Sequence, residues 1–406
     1  MERKLYNETE QKVLNYLEEN KEELFYQLSE LVKIDTQNFR THGNENAGQD
    51  YLEQICLELG LKVDRFTPDS VEGLTDSDEY NPGRGTENRE NLVAVYEGEN
   101  PEGGIMLAAH MDTMPVGDLS KWDDSPFSGL IKNNKIYGRG SGDDKFGLAL
   151  GWYVIKALKE CGFSPKKNIM IGSYVDEEYG GGNGALGLCL KYPCDCYINL
   201  DSSGFEKTAL GGGCFTISVR STQNDKAIAS VFDVFDGLSV IREAIGKLQE
   251  GKTTIRFSSF RGGDGGEKVG SINFAIYTDK GKEETIRRLD EVLEEIKPRL
   301  DDLKLATEGF VLYTKFFRYG ETKKNSKEAE VFADAICEVT GEYPDANGSC
   351  LSDLSIFLNY GAENSFNYGM LRGSKDGGGA HQPNEHVDCD NLMNCAKSLA
   401  LFLTRI

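Results

Sequence analysis

The stretch AAHMDTMP, residues 108–115, follows a short apolar run and carries one of the four histidines of the chain. The apolar run ends in a histidine, an aspartate follows two residues later, and a proline ends the strand pattern. This order is typical of a buried strand that presents polar groups at its end. A single His-x-Asp pair is weak evidence for a site, because many such pairs lie in loops without a function. Its meaning depends on which other polar groups the chain brings to the same place.

Strand-like runs alternate with helical patterns around this stretch. The strands are predicted at 91–98, 103–110, 167–175 and 195–202, and the helices at about 47–61, 144–160 and 183–191. Strands that alternate with helices argue for the α/β fold class, with a mostly parallel sheet.

The pattern changes near GGGCFTISVRST, residues 211–222. From there to about residue 319 the chain reads strand, helix, strand, strand, helix, strand, with the helices predicted at 233–249 and 282–304. The α/β pattern then resumes with NSKEAEVFADAICEVTG, residues 325–341, and continues to the end of the sequence. We therefore expect a smaller α+β domain inserted into the α/β domain.

The charge of the chain limits its partners. The 406 residues carry 67 acidic and 45 basic side chains, which gives a formal net charge of −22. A surface this negative repels nucleic acid and anionic membranes, so we expect neither as a partner. The charge also fits a site that concentrates cations, although acidity of this kind commonly serves solubility alone.

The N-terminal region and the cysteines indicate a cytoplasmic protein. Residues 1–33 read as one amphipathic helix without a signal peptide, and no run approaches the roughly 18 apolar residues of a membrane span. Ten cysteines are scattered without a repeated spacing, which is typical of reduced core residues. Cys194-x-Cys196 lacks metal-ligand spacing, which argues against a zinc–thiolate site.

Carboxylate and imidazole groups follow three predicted strands and two Gly-rich loops. They are His110 and Asp112; Asp143 and Asp144; Asp176, Glu177 and Glu178; Asp201; and His381 and Glu385, with the amide side chain of Asn384 beside the last two. Ligands of open α/β sheets bind at the carboxyl ends of the strands, where these groups are expected to meet.

Each group also has an ordinary structural interpretation. Asp143 or Asp144 suits a helix N-cap, Glu177 and Glu178 a solvated pair, and His381 a loop. These interpretations fail jointly, because carboxylates that converge on one crevice repel one another and a divalent cation relieves that repulsion. Imidazole with carboxylate suits zinc and, less strictly, similar first-row metals.

The order of these motifs carries a family resemblance. HMDTMP, YGRGSGDDK, DEEYG, INLD and AHQPNEHV follow one another along nearly the whole chain. In this order the chain resembles the di-zinc metallopeptidase family that includes aminoacylase, carboxypeptidase G, succinyl-diaminopimelate desuccinylase and dipeptidase V. The segment 122–145 is especially close to the dipeptidase and deacylase branch.

The resemblance implies roles for individual residues. His110 and Asp201 would hold one Zn²⁺ and Glu178 and His381 the other, with Asp143 bridging both; Co²⁺ and Mn²⁺ are alternatives to Zn²⁺. Asp112 would orient His110 through its other ring nitrogen, and Glu177 would be the general base. Asp144 would cap the following helix. The two roles could also be reversed, with Asp144 as the metal ligand and Asp143 as the cap. Asp176 would support the turn.

The resemblance also implies a domain division. Residues 1–208 and 323–406 would form the catalytic di-metal domain, and residues 209–322 an inserted lid or dimerisation domain. By its composition, the Gly-rich stretch 261–270 is predicted to be a hairpin or loop of that insertion, or a plain turn sequence without a function. The protein would be a monomer, or a homodimer through the lid.

The chain departs from the family pattern in its insertion. Residues 209–322 contain no histidine, although many family members carry a lid histidine that stabilises the oxyanion. Thr278 or Lys280 stands about where the family has a lid arginine. Arg372 precedes His381 in the same Gly-rich region, and we expect it either to bind a substrate carboxylate or to be a surface residue.

Three further side chains have expected places. Asp353 matches a recurring family position. His42 and His386 are expected to be loop residues, because metal sites use histidines on fixed strand ends.

The expected activity is zinc-dependent hydrolysis of a peptide or N-acyl amide bond next to a free carboxylate, with small peptides or N-acyl amino acids as substrates. Dipeptidase and N-acyl-amino-acid deacylase or desuccinylase activities both remain open. A catalytically silent metal-binding relative is the second hypothesis, motivated by the absent lid histidine. A metal-free acidic binding module is the third.

Overall fold

The chain forms two units in the computed structural model, which describes residues 6–222, 231–262, 269–346, 348, 350–375 and 377–406. The first unit comprises Met1–Thr208, Glu321–Gly348 and Ile356–Ile406, and the second Ala209–Gly320 and Ser349–Ser355.

The strands are β1 Lys62–Phe66, β2 Asn91–Tyr96, β3 Asn100–His110, β4 Leu130–Lys132, β5 Lys135–Tyr137, β6 Lys167–Tyr174, β7 Cys196–Asn199, β8 Thr208–Ala209, β9 Gly211–Ser221, β10 Thr254–Gly262, β11 Val269–Thr278, β12 Leu305–Leu312, β13 Gly320–Glu321, β14 Phe366–Asn367 and β15 His386–Asp388. The helices are α1 Glu8–Glu19, α2 Lys21–Lys33, α3 Glu45–Glu58, α4 Lys145–Glu160, α5 Asn183–Lys191, α6 Val231–Gly246, α7 Lys282–Asp302, α8 Lys327–Thr340, α9 Leu354–Ile356 and α10 Cys389–Arg405.

A six-stranded sheet with the order β1-β2-β6-β3-β7-β14 forms the centre of the first unit. The strands β6, β3, β7 and β14 run parallel, and β1 and β2 add an antiparallel edge. The mostly parallel α/β sheet expected from the sequence is thus confirmed. Parallel strands place their carboxyl ends at one edge, and β3, β6 and β7 therefore end side by side.

Helix α4 packs closely on this sheet because its first turn contains glycine. Thirteen of its sixteen residues are buried. A Cβ atom at Gly147 would lie 2.7 Å from the Cβ of Ala109 and 2.8 Å from that of Leu200, so a larger residue does not fit there without a shift. The close approach brings the loop before α4 next to the end of β3.

The N-terminal region forms two helices, so the prediction of one continuous helix over 1–33 is wrong for the residues described. The side chain of Asn20 donates a hydrogen bond of 2.9 Å to the carbonyl of Tyr16, which satisfies a carbonyl at the end of α1. A capping box between Asn7 and Glu10 fixes the other end of α1.

The second unit contains a four-stranded antiparallel sheet with the order β10-β11-β9-β12. Alternate residues of β11 are buried, and they form one core with residues of α6 and α7. The elements follow the order predicted from the sequence. Most of the Gly-rich stretch predicted as a hairpin or loop, 263–268, lies outside the described residues.

Two further findings concern membrane spans and the cysteines. Within the described part, none of the helices combines the length and the apolar character that a membrane span requires. All ten cysteines are free thiols.

A buried ion-pair network fixes the turn that follows β6. Arg84 donates a hydrogen bond of 2.7 Å to Asp176, and Arg89 lies 3.1 Å from the same carboxylate oxygen. Arg89 also donates from Nε to Glu45 at 2.8 Å. All four side chains are almost fully buried. Because Asp176 adopts a left-handed backbone with φ 65°, these contacts stabilise the turn from which Glu177 continues.

We expect Arg89→Met to destabilise the first unit by about 3–5 kcal/mol, because it leaves Glu45 buried without its counter-ion. Burial raises the pKa of Glu45 to about 7, so the measurement belongs at pH 8, where the carboxylate is ionised. Urea unfolding followed by tryptophan fluorescence reports on this unit, since Trp122 and Trp152 are the only tryptophans and both lie in it.

Lys62→Met is the matched control, because it removes a cation from the exposed pair with Glu97. We expect its urea midpoint to stay close to that of the unaltered protein. Equal midpoints for the two variants would contradict a stabilising role of the buried network.

Candidate functional site

The residues predicted to bind metal come together at the carboxyl edge of the central sheet. His110 is the last residue of β3, and Glu177 and Glu178 follow β6 after a short turn. Asp201 lies two residues beyond the end of β7, and Asp143 lies in the loop before α4. Neighbouring parallel strands bring these groups together although they are far apart in sequence.

Asp143 lies between the two imidazoles. Its Oδ1 is 3.1 Å from His110 Nε2, and its Oδ2 is 3.1 Å from His381 Nε2. The same His381 nitrogen is 2.7 Å from Glu178 Oε2. His381 adopts a left-handed backbone with φ 63°, a conformation that histidine seldom adopts. One carboxylate thus faces two histidines, each with a second acidic neighbour.

The donor atoms form two groups, each with its atoms within 4.8 Å of one another: His110, Glu177 and Asp201, and Asp143, Glu178 and His381. Imidazole nitrogens with carboxylate oxygens suit Zn²⁺ and related divalent ions. The side chains present therefore fit a two-metal centre. The first group contains Glu177, the predicted base, whose Oε2 is 4.0 Å from His110 Nε2.

Acidic neighbours raise the affinity of the histidines for protons. Burial opposes protonation of His381, but the Glu178 carboxylate and hydrogen bonds to Asp143 and Glu178 outweigh it and raise the pKa of His381 to about 11. Burial raises the pKa of Glu178. A site that attracts positive charge in this way is one that a divalent cation stabilises.

Asp112 contacts His110 in a way that the sequence did not indicate. The Nδ1 atom of His110 is 2.8 Å from the main-chain carbonyl of Asp112 and 3.7 Å from its carboxylate. The carboxylate instead accepts hydrogen bonds of 3.1 Å from the amides of Glu177 and Glu178 and one of 2.7 Å from Asn38. Asp112 therefore ties the end of β3 to the loop that follows β6.

The predicted capping contact of Asp144 is absent. Asp144 occupies the position before α4, but neither of its carboxylate oxygens has a hydrogen-bond partner among the described residues. Burial raises the pKa of Asp144 well above its usual value. The peptide between Asp143 and Asp144 is cis, and only Asp143 contacts the histidines.

Arg372 is in the site, so the surface interpretation of this residue is wrong. Its guanidinium lies 3.0 Å from Asp143 Oδ1 and 2.5 Å from Asp201 Oδ1, and its side chain is 13% exposed. The sequence placed Arg372 near His381 but carried no signal that it contacts two candidate ligands.

Glu385 joins the two Gly-rich loops of the site. Its carboxylate accepts hydrogen bonds of 3.0 Å from the amides of Gly140 and Gly142 and forms an ion pair with Arg139. Both charged side chains are almost fully buried. The sequence placed Glu385 at the edge of the sheet but did not reveal Arg139 as its partner.

The other singled-out residues lie in different environments. His42 is in a loop and stacks on Phe39, whereas His386 belongs to β15, so the loop prediction for His386 is wrong. Thr278 ends β11 and is buried. Lys280 precedes α7, and Asp353 is buried.

Comparisons with known proteins agree with the motifs. The model of Peptidase family M20/M25/M40 matches residues 106–405. An uncharacterized metallohydrolase of Methanococcus maripaludis is 27% identical over 353 residues, which are 76% of this chain and 82% of that protein. An N-formyl-4-amino-5-aminomethyl-2-methylpyrimidine deformylase of Halalkalibacterium halodurans is 28% identical over 221 residues, 53% of this chain and 47% of that protein.

Solved structures share the fold. The dipeptidase Dug1p of Saccharomyces cerevisiae superposes with a TM-score of 0.72 and 16% identity, covering 97% of this chain and 98% of that one. A metallo-carboxypeptidase of Sulfolobus solfataricus superposes with a TM-score of 0.69 and 17% identity over 94% of this chain and 98% of its own. The family model matches most of this chain. The chain therefore belongs to Peptidase family M20/M25/M40, whose members are metal-dependent hydrolases that act on the C–N bonds of amides and peptides.

Proposed function

We propose that the protein is a two-metal hydrolase that cleaves a peptide or N-acyl amide bond of a small carboxylate-bearing substrate. The observation that carries the proposal is the Asp143 carboxylate between His110 and His381, with Glu177 beside them. This arrangement combines a candidate bridging ligand with the Glu177 carboxylate, which is 15% exposed and lies 4.0 Å from His110 Nε2.

His110 and Asp201 would hold one metal ion and Glu178 and His381 the other, with Asp143 contributing to both. When bound, the ions supply Lewis-acid chemistry that polarises the amide carbonyl and makes water more acidic. Zn²⁺ is the proposed metal, with Co²⁺ and Mn²⁺ as alternatives.

Glu177 is the proposed general base. Its carboxylate takes a proton from the attacking water, the water oxygen bonds to the carbonyl carbon, and the C–N bond breaks. The same carboxyl group then returns the proton to the departing nitrogen, so the products are an amine and a carboxylic acid. Because Asp112 accepts hydrogen bonds from the Glu177 and Glu178 amides, it holds both acidic residues at the end of β6.

Two specificities, dipeptidase and N-acyl-amino-acid deacylase, are consistent with this machinery. Among the similar proteins are a succinyl-diaminopimelate desuccinylase of Bradyrhizobium, 33% identical over 153 residues, and the yeast dipeptidase. The role of the insertion 209–322 as a lid or dimerisation domain, the monomeric or dimeric state and a cytoplasmic location remain predictions. The silent metal-binding relative is the alternative, since residues 209–322 lack a histidine.

The proposed function is tested with a pool of dipeptides and N-acetyl and N-succinyl amino acids, offered to Zn²⁺- or Co²⁺-loaded protein and followed by mass spectrometry. We expect one substrate class to be consumed and the consumption to stop when a chelator removes the metal. Two bound metal ions without any turnover would favour the silent relative instead.

Glu177→Gln should lower kcat by about 10²- to 10⁴-fold, because the amide cannot accept the proton of the attacking water. We expect two metal ions per chain to remain bound, as measured by metal analysis after gel filtration. Loss of a metal together with activity would mean that Glu177 is a ligand and not the base.

Glu178→Gln, one residue away, should behave differently. This change removes a proposed ligand beside His381, so we expect the metal content to fall from two towards one per chain and activity to fall with it. Excess metal should restore part of the activity of Glu178→Gln but none of that of Glu177→Gln. The opposite pattern would show that the two roles are exchanged.

A further inference from the structure

Arg372 brings a permanent positive charge into the candidate metal centre. Its guanidinium lies 3.0 Å from Asp143 Oδ1 and 2.5 Å from Asp201 Oδ1. A Cβ atom at Gly142 would lie 3.4 Å from the Cβ and Cγ of Arg372, so the aliphatic part of the arginine runs beside this glycine. Arg372 donates a hydrogen bond to Asp201 and forms an ion pair with Asp143, whereas its buried Nε has no hydrogen-bond partner among the described residues.

The contacts of Arg372 are confined to one half of the centre. Asp143 Oδ1 faces His110 and Arg372, whereas Asp143 Oδ2 faces His381. No ion pair or hydrogen bond joins Arg372 to Glu178 in the described part of the chain. Arg372 is therefore paired with Asp143 and Asp201, the carboxylates expected around His110. In the described part of the chain it makes no such contact with Glu178, the acidic partner of His381.

A guanidinium and a metal ion compete for the same carboxylate oxygens. The arginine stays protonated in this environment, so its charge repels a metal ion at Asp201, and a metal ion that binds Asp201 through Oδ1 displaces the guanidinium from that oxygen. The metal position around His381 shares only the Asp143 carboxylate with Arg372, and there the oxygen that faces His381 is Oδ2 and not the Oδ1 that Arg372 contacts. The cost of detaching a buried, doubly paired arginine therefore falls unequally on the two positions.

We propose that Arg372 is an internal competitor for the metal position formed with His110 and Asp201, so that this position binds metal more weakly than the one formed with Glu178 and His381. The protein would fill its two positions in sequence, and the second metal ion would release the arginine from Asp201. This inference rests on the proposed two-metal function, and it concerns binding affinity without requiring turnover.

Competition between the protein and a chromophoric chelator for Zn²⁺ measures both dissociation constants. We expect the unaltered protein to bind two ions with constants that differ at least about tenfold. Arg372→Met keeps the volume of the aliphatic part and removes the charge. We expect it to tighten the weaker constant at least about tenfold and to change the tighter one by less than about threefold.

Three further variants assign the effect. Leu371→Met alters the neighbouring side chain, which is 71% exposed, and should leave both constants unchanged. Arg372→Lys keeps a charge but not the planar fork, so we expect a value of the weaker constant between those of the unaltered protein and Arg372→Met. Asp201→Asn should abolish the weaker binding event and retain the tighter one.

The outcomes separate this inference from the proposed function. Two equal constants in the unaltered protein, or a weaker constant that Arg372→Met does not tighten, would overturn the role of Arg372 and leave the two-metal centre intact. A protein that binds no divalent ion would overturn both. Circular dichroism of each variant verifies folding, and Arg372→Lys carries the same test if Arg372→Met does not fold.

Discussion

Repulsion among carboxylates at one edge of a sheet is the constraint on which the site depends. Asp143, Glu177, Glu178 and Asp201 meet where β3, β6 and β7 end, and such a cluster is stable only if positive charge compensates it. Imidazoles and Arg372 supply part of that charge within the chain. Divalent cations supply the remainder in the proposed enzyme, so the feature that enables catalysis also makes metal binding favourable.

The cluster is held in place by charges outside it. Arg84 and Arg89 neutralise Asp176 at the start of one loop, and Arg139 and Glu385 join two others. These pairs are buried, where a single unpaired charge is costly but a complete pair with good geometry is tolerated. The loops that carry the ligands can therefore be rich in glycine and still present their side chains in defined positions.

Much of the site was predictable because it follows strand ends. Hydrophobic runs located β3, β6 and β7, and the polar residues after them had to meet once the sheet was parallel. The break at Asn20, the free carboxylate of Asp144 and the main-chain contact of Asp112 were not predictable. The break at Asn20 and the contact of Asp112 each depend on one hydrogen bond whose partner is chosen by local geometry, whereas the Asp144 carboxylate has no such partner among the described residues. Residue type alone leaves these alternatives open.

The sequence by itself determined the α/β class, the family and the set of chemical groups at the carboxyl edge, because hydrophobic periodicity and motif order are properties of the chain. Only the tertiary structure decided which oxygen of Asp143 faces which histidine, that Arg372 pairs with Asp143 and Asp201, and that Glu385 pairs with Arg139. The physical reason is range. Periodicity acts between neighbours in sequence, whereas the ion pairs of Arg372 and of Glu385 join residues more than 170 positions apart, and their geometry exists only after the sheet and its loops have packed.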